Sequence, residues 1–211
     1  MNIEKINFEK IKKSQDHILI KPKKFNEQFL KLYQDINKII IFGPHRSGTT
    51  FTAKALAQSF NKKFIDESDF EVRNFKLFQE KIKQDNIVVQ APGLTCCAHK
   101  LNLTKKDLII YMHRSWVDIL KSWIRVSDRD VTTEWLQKKT VERYLSHDKN
   151  FKQFLKYDDI YLNFRIQCWL KYQKPKCINA IELDYESMSN HPIWMQKESR
   201  RQFRKKQTQA L

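Results

Sequence analysis

Residues 39–50, IIIFGPHRSGTT, gather groups suited to holding an anion. Gly43 and Gly48 bracket Pro44, His45, Arg46 and Ser47, and the hydroxyls of Thr49 and Thr50 follow directly. A strand feeding a glycine turn and then a helix aims several backbone N–H groups, plus the positive end of the helix dipole, at one spot. The glycines permit the tight turn and let an oxyanion approach the backbone. Arg46 adds a forked cation. The chain holds only three glycines, so two of them in one eight-residue stretch mark a turn of unusual demand.

The pattern falls short of the phosphate loop G-x-x-x-x-G-K-[ST], because Thr49 stands at the lysine position. Enzymes that move a terminal phosphoryl group use that lysine and a magnesium ion together, since adjacent phosphates carry several charges. The metal is anchored by an acid at the end of a neighbouring strand. Here the apolar runs end in Gln90-Ala91-Pro92 and in Met112-His113-Arg114, with no carboxylate at either place. Such a loop suits a donor of lower charge. A sulfuryl group carries one negative charge where a terminal phosphoryl carries about two, so transfer without a metal is the expectation.

The elements that would position the loop are legible as alternating strands and helices. KIIIF (38–42) is short, β-branched and continuous, as for a strand buried on both faces. TTFTAKALAQSF places Ala53, Leu56, Ala57 and Phe60 at helical spacing. KFIDES (63–68), NIVVQAP (86–92), DLIIYMH (107–113) and CINAIEL (177–183) read as four further strands. Helices are expected around 25–35, 70–84, 94–103, 116–126, 133–157 and 161–173, and a turn over 102–107. Alternation of this kind argues a parallel, doubly wound sheet.

Taken with later segments, the loop resembles a known family. PHRSGTT is similar to the 5′-phosphosulfate loop of the sulfotransferases that use 3′-phosphoadenosine 5′-phosphosulfate, commonly P-K/R-S-G-T-T, with Arg46 at the basic position. LIIYMHRSWVDILKSW (108–123) is similar to the family's 3′-phosphate segment: an apolar strand, an arginine, then a serine eight residues on. That puts Arg114 and Ser122 in those roles. IELDYESM (181–188) is a looser match to a strand followed by YE-x-L/M, and VVQAP (88–92) stands where the family often has K-T-H-L-P. The matches follow the family's order from about 38 to 190.

The resemblance implies a three-layer P-loop-type α/β fold, with a central, mostly parallel sheet of about five strands flanked by helices. The domain would span 37–194, between an N-terminal extension (1–36) and a basic C-terminal segment (195–211). It further implies transfer of a sulfuryl group from 3′-phosphoadenosine 5′-phosphosulfate to a hydroxyl or amine, leaving adenosine 3′,5′-bisphosphate. Gly43, Pro44, His45, Arg46, Ser47, Gly48, Thr49 and Thr50 would hold the 5′ end. Arg200 and Arg201 would lie over the nucleotide, as late basic residues do in family members. Arg114 at the carboxyl end of a strand is also where open α/β sheets bind ligands. Ser122 lies roughly 12 Å further along a helix at 1.5 Å per residue.

Sulfuryl transfer needs a base for the acceptor's proton. The family's histidine in the third-strand segment is missing here, which points away from phenol and steroid acceptors and toward a carbohydrate or other polar one. Other members use a glutamate after the second strand. Glu67, then Asp66, are the candidates there, and His99 is a further one; His45 would touch the transferring group. Arg46 and the threonines would stabilise the developing charge.

Composition sets the remaining bounds. Across 211 residues, Lys and Arg outnumber Asp and Glu 40 to 24, a net charge of +16, which attracts an anionic partner or simply solvates the surface. The cysteines Cys96, Cys97, Cys168 and Cys177 match no zinc or redox spacing, so reduced, mostly buried thiols are expected. A charged start and the lack of any run near ~20 apolar residues predict a cytoplasmic protein with no membrane span. Two other readings stand beside the first. One is a nucleoside or nucleotide kinase with an eroded loop, echoed by Asp66–Ser68 and His113–Ser115. The other is a non-catalytic protein that binds nucleic acid or another polyanion, echoed by the tail KESRRQFRKKQTQAL.

Overall fold

Five strands lie parallel in the order β2-β3-β1-β4-β5, where β1 is Lys38–Phe42, β2 Lys63–Ile65, β3 Ile87–Gln90, β4 Asp107–His113 and β5 Ala180–Asp184. The computed structural model describes residues 22–72, 74–114, 118, 119, 122 and 179–194. For Cys96 and His99 the description covers the backbone alone. β1 is central because it is the most apolar segment: Ile39, Ile40, Ile41 and Phe42 have no exposed surface. Only a strand covered on both faces accommodates such a run. Each of these side chains contributes about 1.5–3 kcal/mol by leaving water.

The two faces of the sheet are covered by different elements. One side carries Ile40, Phe42, Val89, Ile109 and Tyr111, packed with Phe70, Phe78, Leu94 and Cys97. Phe78 belongs to the helix Phe75–Lys81, and its ring lies 6.2 Å from Phe42 and 5.2 Å from Phe70. The other side carries Ile39, Ile41, Val88, Ile110 and Met112. Here the helix Thr49–Ser59 brings Ala53, Leu56 and Ala57 against the strands, its small residues allowing a close approach. With α1 as Glu27–Leu32, these two helices are α2 (Thr49–Ser59) and α3 (Phe75–Lys81). Helices on both faces of a parallel sheet, with a glycine loop between the central strand and its helix, make the P-loop-type α/β fold.

Several expected elements shift at their ends for local reasons. β1 and β4 coincide with KIIIF and DLIIYMH. β2 stops at Ile65 because Asp66 turns the chain into a 3-10 turn, Glu67–Phe70, by accepting from Ser68 N–H. The helix expected over 70–84 begins only at Phe75: Glu71 has a φ of 56°, and Asn74 caps the new start through Leu77 N–H. Residues 92–100 form 3-10 rather than α-helical turns. Thr95 directs its hydroxyl back to the Pro92 carbonyl at 2.8 Å, a local bond that competes with the regular helical ladder. Of the helix expected at 116–126, Asp118, Ile119 and Ser122 are described and helical. The helices expected at 133–157 and 161–173 lie outside the described residues.

The segment before β1 joins the same body. Lys23 forms a parallel bridge with Leu183, donating to the Glu182 carbonyl at 2.8 Å and accepting from Asp184 N–H at 2.9 Å, which covers the open edge of β5. α1, capped by Asn26, buries Phe29 and Tyr33 against the α2 side. Residues 22–36, read from the sequence as part of an extension, thus contribute to the core. No described helix is long and apolar enough to cross a membrane.

After β5 the chain folds back onto α2 through His191. Its Nδ1 accepts from Ile193 N–H at 3.2 Å, so Nε2 carries the hydrogen and donates to Ser59 Oγ at 3.1 Å. Phe25 and Phe51 close over the ring edgewise. Burial holds this imidazole below its ordinary value of 6.5. The unfolded chain therefore takes up the proton first as pH falls, and the contribution to stability is complete above pH 6.5 and lost on acidification below it. The melting temperature is expected to fall between pH 7 and pH 5, and His191→Phe to flatten that slope. An identical slope in the variant would assign the effect to other groups.

Candidate functional site

The turn between β1 and α2 is built from backbone conformations that the sequence must pay heed to residue by residue. Gly43, Arg46 and Gly48 all have positive φ, at 146°, 72° and 98°. A Cβ on Gly43 would press on Ser47 Oγ at 3.0 Å and Met112 Cβ at 3.1 Å. One on Gly48 would overlap the Tyr185 ring. Arg46 has no such excuse, and a non-glycine residue held there stores about 1–3 kcal/mol.

Four neighbours brace the turn. Ser47 is fully buried and donates its hydroxyl to the Pro44 carbonyl at 2.7 Å, so it works within the loop. Thr95 Oγ1 accepts from Gly43 N–H at 3.2 Å, fixing the exit from β1. Arg114, at the end of β4, donates from a terminal guanidinium nitrogen to the Arg46 carbonyl at 3.0 Å. Tyr185, after β5, lies with its ring against Gly48 and 4.4 Å from the Arg114 guanidinium carbon. The sequence offered no signal for Thr95. Tyr185 sat in plain view within the DYES match, but its function as a wall of the turn needed β5 to lie next to β4.

The helix that follows is open to an anion. α1 and α3 each carry an asparagine cap, whereas α2 starts at Gly48 with no side-chain cap and no acid in its first turn. Its first N–H groups and dipole favour negative charge. Thr49 is buried, while Thr50 and Arg46 are exposed and His45 is half-buried. The Arg46 side chain reaches Ser122, its Nε donating to Oγ at 3.2 Å. The loop and the Arg114–Ser122 segment, 68 and 76 residues apart from Arg46 in sequence, therefore meet at one edge of the sheet.

The acids after β2 stand two strands away on the same edge, roughly 10 Å at the usual strand spacing. Asp66 accepts from Ser68 N–H at 3.1 Å and from Gln90 Nε2 at 3.2 Å, and with Asp69 completes a capping box. It is thus the cap of a turn. Glu67 Oε2 accepts from Gly93 N–H at 3.4 Å and is half-buried. Gln90 occupies the strand end where the resembling family has histidine, and is buried with its amide turned to Asp66. For His99 only the backbone is described, in the 3-10 stretch Pro92–Lys100. Arg200 and Arg201 lie outside the described residues. Trp194 packs on Phe51 at 5.0 Å and Tyr185 at 4.7 Å, so the described chain ends against the first turn of α2.

Neither a protein-family model nor a curated protein sequence matches the chain. Among solved structures, a shikimate kinase from Bacteroides thetaiotaomicron is similar at 16% identity and a TM-score of 0.35, over 64% of this chain and 97% of that one. A shikimate kinase from Acinetobacter baumannii in complex with shikimate is similar at 13% identity and a TM-score of 0.32, over 72% and 86%. Likenesses at this level carry no functional weight.

Gly48→Ala tests the turn directly. It adds a methyl group where Tyr185 already sits and forces alanine to positive φ. A loss of about 1–3 kcal/mol of stability is expected in denaturant titration. Wild-type stability in the variant would show that the turn has another conformation in solution.

Proposed function

We propose that the chain binds 3′-phosphoadenosine 5′-phosphosulfate and transfers its sulfuryl group to a hydroxyl or amine of a polar acceptor. The observation that carries this reading is the convergence of Arg46, Arg114 and Ser122 at one edge of the sheet. Two anion-binding groupings side by side suit a ligand with two separated anionic groups. The uncapped start of α2 would receive the 5′-phosphosulfate, and Arg114 with Ser122 the 3′-phosphate.

In the reaction, an acceptor oxygen or nitrogen attacks sulfur while the bond from sulfur to the bridging oxygen breaks. The electron pair leaves with adenosine 3′,5′-bisphosphate, and the acceptor's proton passes to a base. Arg46 and the N–H groups of α2 would stabilise the charge growing on the bridging oxygen. Glu67 is the preferred base, since Asp66 is engaged as a turn cap. His99 remains a further candidate.

A second reading, phosphoryl transfer from a nucleoside triphosphate, draws support from the acids themselves. Asp66 and Glu67 stand at the loop's edge of the sheet, where a magnesium-bound phosphate would lie in a P-loop kinase. Sulfuryl transfer is preferred because Thr49 replaces the lysine that such kinases use, and because Arg114 and Ser122 supply a second anion grouping.

Thermal unfolding with adenosine 3′,5′-bisphosphate, ATP and ATP with magnesium separates the two. The bisphosphate is expected to stabilise the protein without a metal, by about 2.7 kcal/mol at a hundredfold excess over its dissociation constant. Stabilisation by ATP only when magnesium is present would move the assignment to the kinase reading. Arg46→Ala is expected to leave the melting temperature of the free protein nearly unchanged while reducing turnover by orders of magnitude. Retained turnover would remove Arg46 from the chemistry.

A further inference from the structure

Arg114 is held on three sides. Its terminal nitrogen is bound to the Arg46 carbonyl at 3.0 Å, and its plane rests on the Tyr185 ring at 4.4 Å. The third neighbour is Glu186, whose Oε1 lies 3.4 Å from Nε. The first two contacts fix the guanidinium in place. The third is looser: Nε is buried without a well-aligned hydrogen bond, and the glutamate pairs with it mainly by charge. The exposures differ as well, with the Arg114 side chain 19% exposed and that of Glu186 51%.

We propose that Glu186 is an exchangeable counter-ion of Arg114, which the phosphate monoester of an incoming nucleotide displaces from the guanidinium. The inference rests on the reading that Arg114 serves a 3′-phosphate, and it names the protein group that this phosphate must replace. A phosphate monoester carries close to two negative charges and three acceptor oxygens, so it satisfies the buried Nε–H better than a misaligned carboxylate does. The guanidinium need not move, because the Arg46 carbonyl and Tyr185 keep it in place.

The carboxylate's surroundings favour its departure. Burial raises the Glu186 pKa above its ordinary value and the charges of Asp118 and Asp184 push the same way, against the lowering by Arg114. Glu186 therefore sits among like charges, and Arg114 compensates it only in part. Glu186 both competes for Arg114 and repels the anion that arrives there, so removing its charge acts twice in one direction. A nucleotide lacking the 3′-phosphate gains from neither.

Calorimetric titration of the wild type and Glu186→Gln with adenosine 3′,5′-bisphosphate and with adenosine 5′-phosphate tests this. The position is half-exposed, and an unchanged unfolding midpoint checks that the variant is folded. The bisphosphate is expected to bind the variant about two- to fivefold more tightly, the size of a partly exposed ion pair, with adenosine 5′-phosphate unchanged. Equal or weaker binding of the bisphosphate by the variant overturns the exchange alone, and so does equal tightening for both nucleotides. If neither nucleotide binds either protein, the reading of the site falls and the exchange falls with it.

Discussion

The carbonyl of Arg46 points to Arg114 because the backbone there is left-handed, and that single bond ties the turn after β1 to the end of β4. A β-branched or bulky residue would resist this conformation, and arginine tolerates it only with support. The support is the guanidinium of Arg114, itself seated on Tyr185, whose ring also closes against Gly48. Three segments distant in sequence thus form one brace. Loosening any of them would free the backbone N–H groups at the start of α2 from their present arrangement.

The core explains why the brace holds. β1 is buried on both faces and pairs with β3 and β4 along its length, so the start of the turn has little freedom. α2 lies close on the sheet through alanines, and its Thr52 hydroxyl reaches Met188 Sδ at 3.3 Å. Phe51 of the same helix meets Tyr185, His191 and Trp194 edge to face, and Trp194 tilts against Tyr185. The start of α2 is therefore rigid on its apolar side and uncapped on its polar side. Preorganisation of this kind lets fixed dipoles stabilise charge without reorganising.

Charge is distributed along the edge with a clear division. Arg46, Arg114 and the helix start are positive beside the loop, while Asp66 and Glu67 follow β2, Asp184 ends β5 and Glu186 lies just after it. An anion entering at the centre meets cations first and carboxylates on either flank. The acids on the β2 side suit proton transfer or a metal-bound phosphate, and the difference between the two readings of function lies in what those acids do. On the β5 side Glu186 pairs with Arg114, while Asp184 lies beside His113.

The sequence by itself determined the strands at the centre of the sheet and the glycine turn between β1 and α2. KIIIF and DLIIYMH declared themselves as buried strands because a continuous apolar run of that length has few other places to go, and the glycine spacing announced the turn. Arg46, Arg114 and Ser122 were marked by the resemblance of PHRSGTT and LIIYMHRSWVDILKSW to sulfotransferase segments. Only the tertiary structure decided that these three residues meet, since strand order is set by which faces can be buried together and no local pattern encodes it. It also gave Ser47, a candidate donor contact, and Asp66, a candidate base, local partners within their own turns. A hydroxyl or carboxylate takes the nearest unpaired backbone group, and that neighbour exists only once the chain has turned. Thr95, Tyr185 and Glu186 acquired their places in the same way, from strands and turns brought alongside the loop by packing.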